Sequence, residues 1–391
     1  MYISVHFGGP SPHSPKIHPF FRGLNNMPNA KKDWNKSAHL QFHLFEKRIV
    51  APKRLPTRDG YGEGLVLAGK KDHRVVVLCA DLTESTRSLA FKLAFPERFI
   101  QLGVSEQSLA SIAAGMALAG KIPFISSYAA FSPGRNWEQI RTTIALNEAN
   151  VKIAGAHAGV SVGPDGATHQ MTEDIALTRV LPHLRVVVPC DIFEARKATQ
   201  KAATSDGPIY LRFAREKTPI FTTEKTPFNI GRAETYRFGS DLTIIAAGPI
   251  VFEAILAAER LSRLRGIEAR VINCHTIKPL DAKTLIQAAK ETGAIVTAEE
   301  AQVAGGLGGA VAELLSSTVP APIERIGLQD RFGESGNPDE LAEGLGLTAP
   351  YIMLAAERAF SRKRGEKVSA IPEYKKLAEA YLNDIKQKRY A

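Results

Sequence analysis

Apolar residues follow two alternating patterns between residues 55 and 350. Short apolar runs such as VVVLC at 75–79 are typical of buried strands, whereas longer stretches repeat apolar residues every three or four positions, as helices do. Because the two patterns alternate, we predict an α/β fold with parallel sheets that are covered by helices on both faces. The predicted strands are 75–79, 99–102, 124–126, 151–155, 185–188 and 209–213, then 242–246, 269–273, 294–298 and 323–327. The predicted helices are 59–67, 106–119, 137–146, 172–180 and 193–203, then 250–265, 281–292 and 307–317.

A polar, threonine-rich stretch at 216–238 interrupts this alternation. Such a stretch between two periodic regions is typical of a connector. We therefore predict one α/β domain over 55–225 and a second α/β domain over 235–350.

The two ends of the chain are basic and differ from the body. Residues 1–54 have little periodicity and predict a partly ordered N-terminal extension, and residues 351–391 predict a charged helix or tail with an amphipathic helix over 361–391. Of the net charge of +10, residues 1–60 hold ten Lys/Arg against three Asp/Glu, and residues 361–391 hold nine against four. Basic ends are most often solvated, so we expect no nucleic-acid partner.

Other features of the chain indicate a soluble, cytoplasmic protein without a membrane partner. No apolar run is long enough to span a membrane, and the N-terminus lacks the basic and apolar blocks of a secretory signal. Cys79, Cys190 and Cys274 each lie in or beside an apolar run and form no CxxC pair. This placement predicts buried, reduced thiols.

A single acid, Glu106, stands near the start of the small and apolar stretch GVSEQSLASIAAGMALAG at 103–120. It follows a predicted strand and opens a predicted helix. A negative charge at this end of a helix stabilises the helix by about 0.3–1 kcal/mol. The same packed position also suits a carboxyl group with a role in acid–base chemistry. The residues alone leave both interpretations open.

A glycine-rich loop, HAGVSVGPDGATHQ at 157–170, carries two histidines and an aspartate directly after a predicted buried strand. Because ligands bind at the carboxyl ends of parallel strands, we interpret this loop as part of a binding site. Its residues do not have the spacing of a metal site, so none is predicted. The segment YAAFSPGR at 128–135 places two aromatic residues three positions apart, which suits either core packing or a flat wall against a ring.

Eight segments together resemble the transketolase family of thiamine-diphosphate enzymes over residues 55–350. They are ADLTES (80–85), GVSEQ (103–107), PFISSYAAF (123–131), AGVSVGPDGATHQ (158–170), RFAREK (212–217), HTIKPLD (275–281), TAEE (297–300) and FGESG (332–336). The resemblance implies a pyrimidine-binding α/β domain followed by a transketolase C-terminal domain. It also implies that a two-carbon ketol unit is transferred from a ketose phosphate to an aldose phosphate, with thiamine diphosphate and Mg²⁺ as cofactors.

The resemblance further implies roles for single residues. Glu106 is expected to hydrogen-bond the aminopyrimidine ring of the cofactor and to help its amino group remove a proton. The cofactor-binding residues implied in this way are Asp81, Glu106, Tyr128, Phe131 and Arg135. The implied substrate-binding residues are Arg58, Ser85, His157, Asp165, His169 and Arg215, and His157 and His169 are also expected to be catalytic. Arginine suits a sugar phosphate because its planar guanidinium binds phosphate at two positions.

One family motif is absent: the GDG and downstream Asn that hold the diphosphate and magnesium. Residues 1–54 are too few to contain the domain that carries it. The resemblance therefore predicts the C-terminal subunit of a split transketolase, with a separate N-terminal subunit and a homodimer of this chain within a heterotetramer. TAEE continues with Ala301 and Gln302, where relatives often have His, so no role of that His is predicted here.

Three other interpretations remain open at this point. A deoxyxylulose-phosphate synthase or the beta chain of a 2-oxo acid dehydrogenase would act on 2-oxo acids. The synthase usually lacks a histidine at the position of His157, which favours the recognition of sugar hydroxyls here. A degenerate chain without catalysis fits poorly with the filled Glu, aromatic, His and Arg positions. A non-catalytic binding protein with a basic arm is supported only by the charged ends.

Overall fold

The computed structural model describes residues 38–41, 52–370, 372, 375 and 376. The strands are β1 (Arg54–Pro56), β2 (Val75–Cys79), β3 (Phe99–Gln101), β4 (Ile122–Tyr128), β5 (Lys152–Ala156), β6 (Arg185–Val187), β7 (Ile209–Arg212), β8 (Lys217–Pro219), β9 (Glu234–Arg237), β10 (Leu242–Ala246), β11 (Ala269–Asn273), β12 (Thr276–Lys278), β13 (Ile295–Gln302) and β14 (Ile323–Leu328). The α-helices are α1 (Thr57–Lys71), α2 (Leu89–Ala94), α3 (Glu106–Leu118), α4 (Trp137–Gln139), α5 (Asp174–Arg179), α6 (Ile192–Ala203), α7 (Val251–Arg265), α8 (Ala282–Thr292), α9 (Leu307–Ser316), α10 (Pro338–Gly344) and α11 (Ala349–Lys363). Short 3₁₀ helices lie at Pro96–Arg98 and Val160–Asp165, and a π-helical segment, Ile140–Ala145, continues α4.

The first sheet has seven strands in the order β12-β6-β7-β5-β4-β2-β3. All its neighbouring pairs are parallel except β12 with β6, which is antiparallel. Successive side chains of a strand point to opposite faces, so Val77 packs with α1 and α6 while Leu78 packs with α3. Both faces are therefore covered, as the apolar pattern predicted.

The second sheet has five strands in the order β14-β13-β10-β11-β9, with β9 antiparallel to β11 at one edge. Ile244 of β10 packs on the side of α7 and α11, and Ile245 packs on the side of α8 and α9. Strands β1 and β8 form a separate two-stranded antiparallel sheet. The second domain thus has the same layered construction as the first.

Local signals explain why several helices begin and end where they do. Asp191 precedes α6 and Asp281 precedes α8, and each side chain accepts a hydrogen bond from a backbone amide in the first turn. Gly266 and Gly293 follow α7 and α8 with φ of +63° and +65°, the left-handed conformation that ends helices. These residues are visible in the sequence, which is why these boundaries were predicted closely.

The predicted fold class is confirmed: two α/β units with mainly parallel sheets follow one another along the chain. The structure adds one antiparallel edge strand to each sheet. Strand β9 lies within the stretch 216–238 that the sequence indicated as a connector. Strand β12 follows β11 along the chain but pairs with β6. The second part of the chain therefore contributes an edge strand to the first sheet.

Residues 38–41, 53 and 54 of the predicted N-terminal extension contact the body, and Arg54 is the first residue of β1. Ala38 is 1% exposed and belongs to the apolar cluster of the second sheet. The backbone amide of Gln41 donates to the carbonyl of Phe221 at 2.7 Å, and the hydroxyl of Thr223 donates to the carbonyl of His39 at 2.7 Å. Most of the extension lies outside the described residues.

Residues 364–370 are not helical, although the sequence predicted a helix over 361–391, of which 361–363, 375 and 376 are helical. Helix α11 stops at Lys363, and residues 364–370 form a turn and irregular chain rather than a continuing helix. The physical reason is Gly365, whose φ of +74° is a helix-ending conformation. The remainder of the predicted 361–391 helix falls almost wholly outside the described residues. In the described part of the chain, no helix is both long enough and apolar enough to cross a bilayer.

Candidate active site

The candidate residues gather at the edge of the first sheet where its parallel strands end. Asp81 follows β2, Glu106 follows β3, Tyr128 ends β4, His157 follows β5 and Arg215 follows β7. These five strands are neighbours with one direction, so their carboxyl ends converge. The fold thereby brings together residues that are far apart in the chain.

Glu106 is the first residue of α3 and is only 3% exposed. The hydroxyl of Ser127, in β4, donates to Oε1 of Glu106 at 3.0 Å. The side-chain amide of Asn136 donates to the backbone carbonyl of Glu106 at 2.9 Å. The aligned peptide dipoles at the start of α3 favour a negative charge at this position. The site therefore contains one buried carboxylate whose backbone and side chain are both held.

Four rings form a contiguous aromatic group at the same edge of the sheet. Tyr128, which follows Ser127 directly, stacks on Phe131 with ring centroids 5.9 Å apart and planes at 21°. The ring of His157 lies 3.8 Å from that of Tyr128, and His169 meets Phe131 edge-on at 5.6 Å. The aromatic pair of 128–135 and the histidines of 157–170 therefore belong to one site.

His157 is held as a neutral imidazole. Nη1 of Arg58 lies 3.2 Å from Nε2 of His157, and a guanidinium can only donate, so Nε2 accepts. The ring proton is then on Nδ1, which is buried and has no hydrogen-bond partner among the described residues. Burial, followed by the charges of Arg58 and Arg215, lowers the pKa of His157 to about 3. The backbone of His157 has a φ of +57°, a sparsely populated conformation that is found at functional sites.

Three arginines lie near this histidine: Arg58, Arg87, which pairs with Asp59 at 2.6 Å, and Arg215, which lies 3.2 Å from Asp165 and 3.6 Å from Glu216. Burial and then the charge of Arg87 lower the pKa of Arg58, and Arg215 acts in the same direction. Nη1 of Arg58 also donates to the backbone carbonyl of Ser85 at 2.8 Å. Such mutual repulsion between cations is relieved when an anion binds between them. The cluster is therefore suited to a phosphate group.

Arg215 is anchored by the glycine-rich loop. Its Nη1 donates to the carbonyl of Val162 at 2.9 Å and lies 3.2 Å from Oδ1 of Asp165. Asp165 is itself exposed. The loop thus fixes one side of the guanidinium, so the position of the loop determines where the positive charge of Arg215 lies.

Two predicted cofactor-binding residues lie at the rim of the site. Asp81 is exposed with a φ of +59°, and its Oδ1 accepts a hydrogen bond from the side-chain amide of Gln101 at 2.9 Å. Arg135 is exposed, and its backbone amide donates to the carbonyl of Phe131 at 2.9 Å. Within residues 52–370, no contact joins the guanidinium of Arg135 to Glu106, so the structure does not bring these two groups together.

Sequence reasoning missed three residues of the site: Ser127, Asn136 and Arg87. A signal existed for Ser127, since it is one of two serines near the end of a mainly apolar strand and lies within the segment PFISSYAAF. Asn136 and Arg87 each lie just beyond one of the segments that drew attention, and only their contacts mark them.

The arrangement fits half of a site for a flat cofactor with a basic ring nitrogen. A buried carboxylate can share a proton with such a nitrogen, and the stacked pair Tyr128 and Phe131 offers a wall for the ring. In the ranges that the structure covers, no three His, Cys, Asp or Glu side chains come together as a metal site would require. A neutral histidine near three arginines is suited to a phosphorylated, hydroxyl-bearing substrate.

Comparison with known proteins places the chain in a family. The model of the transketolase pyrimidine-binding domain matches residues 53–220, and the model of the transketolase C-terminal domain matches residues 231–352. The chain belongs to the transketolase family. The resemblance that eight segments indicated is therefore confirmed, and the site lies in the pyrimidine-binding domain.

Several relatives are matched by this chain over nearly their whole length. The chain is 45% identical over 298 residues to the "Putative transketolase C-terminal section" of Methanocaldococcus jannaschii, covering 75% of this chain and 93% of that protein. It is 41% identical over 306 residues to the 6-deoxy-6-sulfo-D-fructose transketolase subunit SqwH of a Clostridium species, covering 78% and 95%. A solved structure described as split gene transketolase, inactive beta4 tetramer, has a TM-score of 0.75 at 44% identity, covering 79% and 100%.

Proposed function

We propose that this chain is the C-terminal subunit of a split transketolase. The complete enzyme transfers a two-carbon ketol unit from a ketose phosphate to an aldose phosphate with thiamine diphosphate. The observation that carries the proposal is the convergence of the buried Glu106, the aromatic group and the arginine cluster at one sheet edge. Each of these groups has a distinct task in such a reaction.

Thiamine diphosphate, when bound, would supply a ring carbon that becomes a nucleophile on losing its proton and a cationic ring that can accept an electron pair. Glu106 would hold the aminopyrimidine of this cofactor. Ser127 fixes the orientation of its buried carboxylate, which could then share a proton with a ring nitrogen of the cofactor. Tyr128 and Phe131 would bind the ring by its face. Asp81 and Arg135, at the rim, would complete this half of the pocket.

The histidines and Asp165 would bind the sugar chain. His157 stays neutral because its pKa is lowered to about 3, so it can exchange hydrogen bonds with hydroxyl groups without becoming charged. His169 lies at the edge of the same aromatic group and would hold a proton near the reacting carbonyl. Asp165 would accept hydrogen bonds from sugar hydroxyls.

Arg58 and Arg215, with the nearby Ser85, would bind the phosphate of the sugar. Nε of Arg58 is buried without a partner among the described residues, and burial and then the charges of Arg87 and Arg215 lower the pKa of its guanidinium. A phosphate dianion would satisfy these donors and relieve their repulsion. Arginine donors of this kind favour a sugar phosphate over an uncharged sugar.

A separate N-terminal subunit would provide the diphosphate and Mg²⁺ site. Relatives named as a section or a subunit match this chain over almost their full length, and the solved relative is described as an inactive beta4 tetramer. These names support a chain that needs a partner for activity. We propose a homodimer of this chain inside a heterotetramer, located in the cytoplasm.

The test is calorimetric titration of thiamine diphosphate with Mg²⁺ into this chain alone and into its complex with a candidate N-terminal subunit. We expect binding only in the complex, and ketol transfer from xylulose 5-phosphate by that complex. Tight binding by the isolated chain would contradict the split site. A complex that consumes pyruvate but not xylulose 5-phosphate would show a 2-oxo acid enzyme instead.

A further inference from the structure

Residues 158–170 of the glycine-rich loop, called the substrate loop below, form a hydrogen bond to a residue of the second domain. Its 3₁₀ helix Val160–Asp165 begins after Gly159, which has no side chain to accept hydrogen bonds from the first-turn amides. Oε1 of Glu300, in β13, accepts the hydrogen bond of the Ser161 amide at 2.6 Å. A carboxylate from the other sheet therefore supplies the missing cap.

Gly159 and Glu300 are complementary in shape. Gly159 has a φ of +85°, a conformation that favours glycine. A Cβ atom at this position would lie 2.6 Å from Cδ of Glu300, so the carboxyl group occupies the space that any larger side chain would need. The glycine lets the loop approach the second domain closely enough for this hydrogen bond.

The other end of the substrate loop is connected to the same residue through Arg212. Nη2 of Arg212 donates to the backbone carbonyl of Glu300 at 2.9 Å and to that of Met171 at 3.3 Å. Nε of Arg212 donates to the buried Asp174 at 2.7 Å, which fixes the guanidinium. Glu300 is thus linked to the start of the loop by its side chain and to the end of the loop by its backbone.

A shift of the loop would displace Arg215, one of the two arginines proposed to bind the phosphate. Val162, next to Ser161, accepts a hydrogen bond from Arg215, and Asp165 lies in the same short helix. If the cap at Ser161 is lost, the helix that anchors Arg215 loses a charge-assisted hydrogen bond. Glu106 lies on a different element, α3, and is held by Ser127, so its own hydrogen bond does not run through the loop.

We propose that Glu300 is a positioning residue for substrate binding, which acts from the second domain by capping the substrate loop. It touches neither substrate nor cofactor in this scheme. The proposal rests on the function proposed above, since it assigns the loop to donor binding. It gives the second domain a direct role in the geometry of the site.

The experiment compares Glu300→Ala and Glu300→Gln with Glu299→Ala in the complex with the N-terminal subunit. Glu299 is a matched control, because its buried carboxylate caps α9 within the second domain, accepting from Leu307 and Gly308 at 2.7 and 2.8 Å. The readouts are KM and kcat for a ketose phosphate donor, the cofactor Kd, and amide hydrogen exchange over 158–170.

For Glu300→Ala we expect the donor KM to rise about tenfold, which corresponds to about 1.4 kcal/mol, with a smaller change in the cofactor Kd and faster exchange across the loop. Glu300→Gln retains a carbonyl oxygen for the Ser161 amide and should restore most of the donor affinity. Glu299→Ala should lower Tm while leaving the donor KM and the loop exchange as in the wild type.

An unchanged donor KM and unchanged loop exchange in Glu300→Ala would overturn the proposal, as would equal effects of Glu299→Ala on both readouts. If Glu300→Ala does not fold, Glu300→Asp provides the same test, because its carboxylate is too short to reach the Ser161 amide. Failure of the proposed function can be distinguished from failure of the Glu300 proposal. A wild-type complex without ketol transfer would refute the function, whereas hydrogen exchange over 158–170 would still measure whether Glu300 holds the loop.

Discussion

The hydroxyl of Ser127 donates a 3.0 Å hydrogen bond to Oε1 of Glu106. The two residues belong to neighbouring parts of the first domain, the end of β4 and the start of α3. Because both side chains are buried, the carboxylate keeps one orientation at the edge of the sheet. This preorganisation distinguishes Glu106 from an ordinary helix-end charge, which would be solvated and free to rotate.

Glu106→Gln should lower kcat by about 10²–10⁴-fold, the range typical of a lost acid–base group, while leaving Tm close to that of the wild type. The amide has nearly the same size but cannot share a proton as the carboxyl group does. Steady-state kinetics of the assembled complex would measure this effect. Ser127→Ala should cause a smaller loss, because it removes only the orienting hydrogen bond. Near-normal turnover in Glu106→Gln would mean that Glu106 is only a helix-end charge.

Arg215→Ala should weaken the use of phosphorylated donors by about tenfold or more, with a much smaller effect on unphosphorylated sugars. The reason is that the carbonyl of Val162 fixes its guanidinium near Arg58, where a phosphate could pair with it in competition with Asp165. The comparison is kcat/KM for a sugar phosphate and for the parent sugar. Arg74→Ala is a suitable control, since Arg74 is exposed and pairs with Asp72 elsewhere on the surface. Equal losses with both kinds of donor would reject the phosphate role.

His157→Gln should lower kcat/KM for the donor by a similar factor at every pH from about 5 to 9. The pKa of His157 is lowered to about 3, so its imidazole does not titrate in this interval. The measurement is a pH profile of kcat/KM for wild type and variant. A variant that loses an acidic limb present in the wild type would show that His157 titrates and would contradict this assignment.

His275 should make the fold sensitive to mild acid. Burial lowers its pKa to about 3, its ring stacks on Phe228, and its Nε2 is buried without a partner among the described residues. An unfolded histidine has a pKa of about 6.5. Between these two values the unfolded state binds more protons, so the free energy of unfolding falls as the pH decreases.

From about pH 7 to about pH 5, this histidine should cost about 2 kcal/mol of stability, which His275→Gln removes. Urea unfolding at the two pH values would measure the difference. His73→Gln, at an exposed position, is the control and should keep the pH dependence of the wild type. Equal losses in the wild type and His275→Gln would show that His275 is not held in its neutral form.

Long periodic segments were predictable, and short ones were not. Residues 75–79 and 242–246 were predicted as strands and are strands, because continuous apolar residues between turns leave few alternatives. Strand β12 was missed, since three residues carry no period and its antiparallel pairing is made with β6 of the other sheet. A helix was predicted over 361–391, but residues 364–370 are not helical, since Gly365 has a φ of +74°.

The sequence by itself determined the fold class and the kinds of side chain at the sheet edge, because alternating strands and helices force the carboxyl ends of parallel strands together. Tertiary structure alone decided which groups touch. The contact of Arg58 with His157 and the cap that Glu300 provides for Ser161 join residues that are remote in the chain. Such contacts depend on strand register and domain packing to within about an ångström, since hydrogen bonds tolerate little more, and no local pattern encodes that distance.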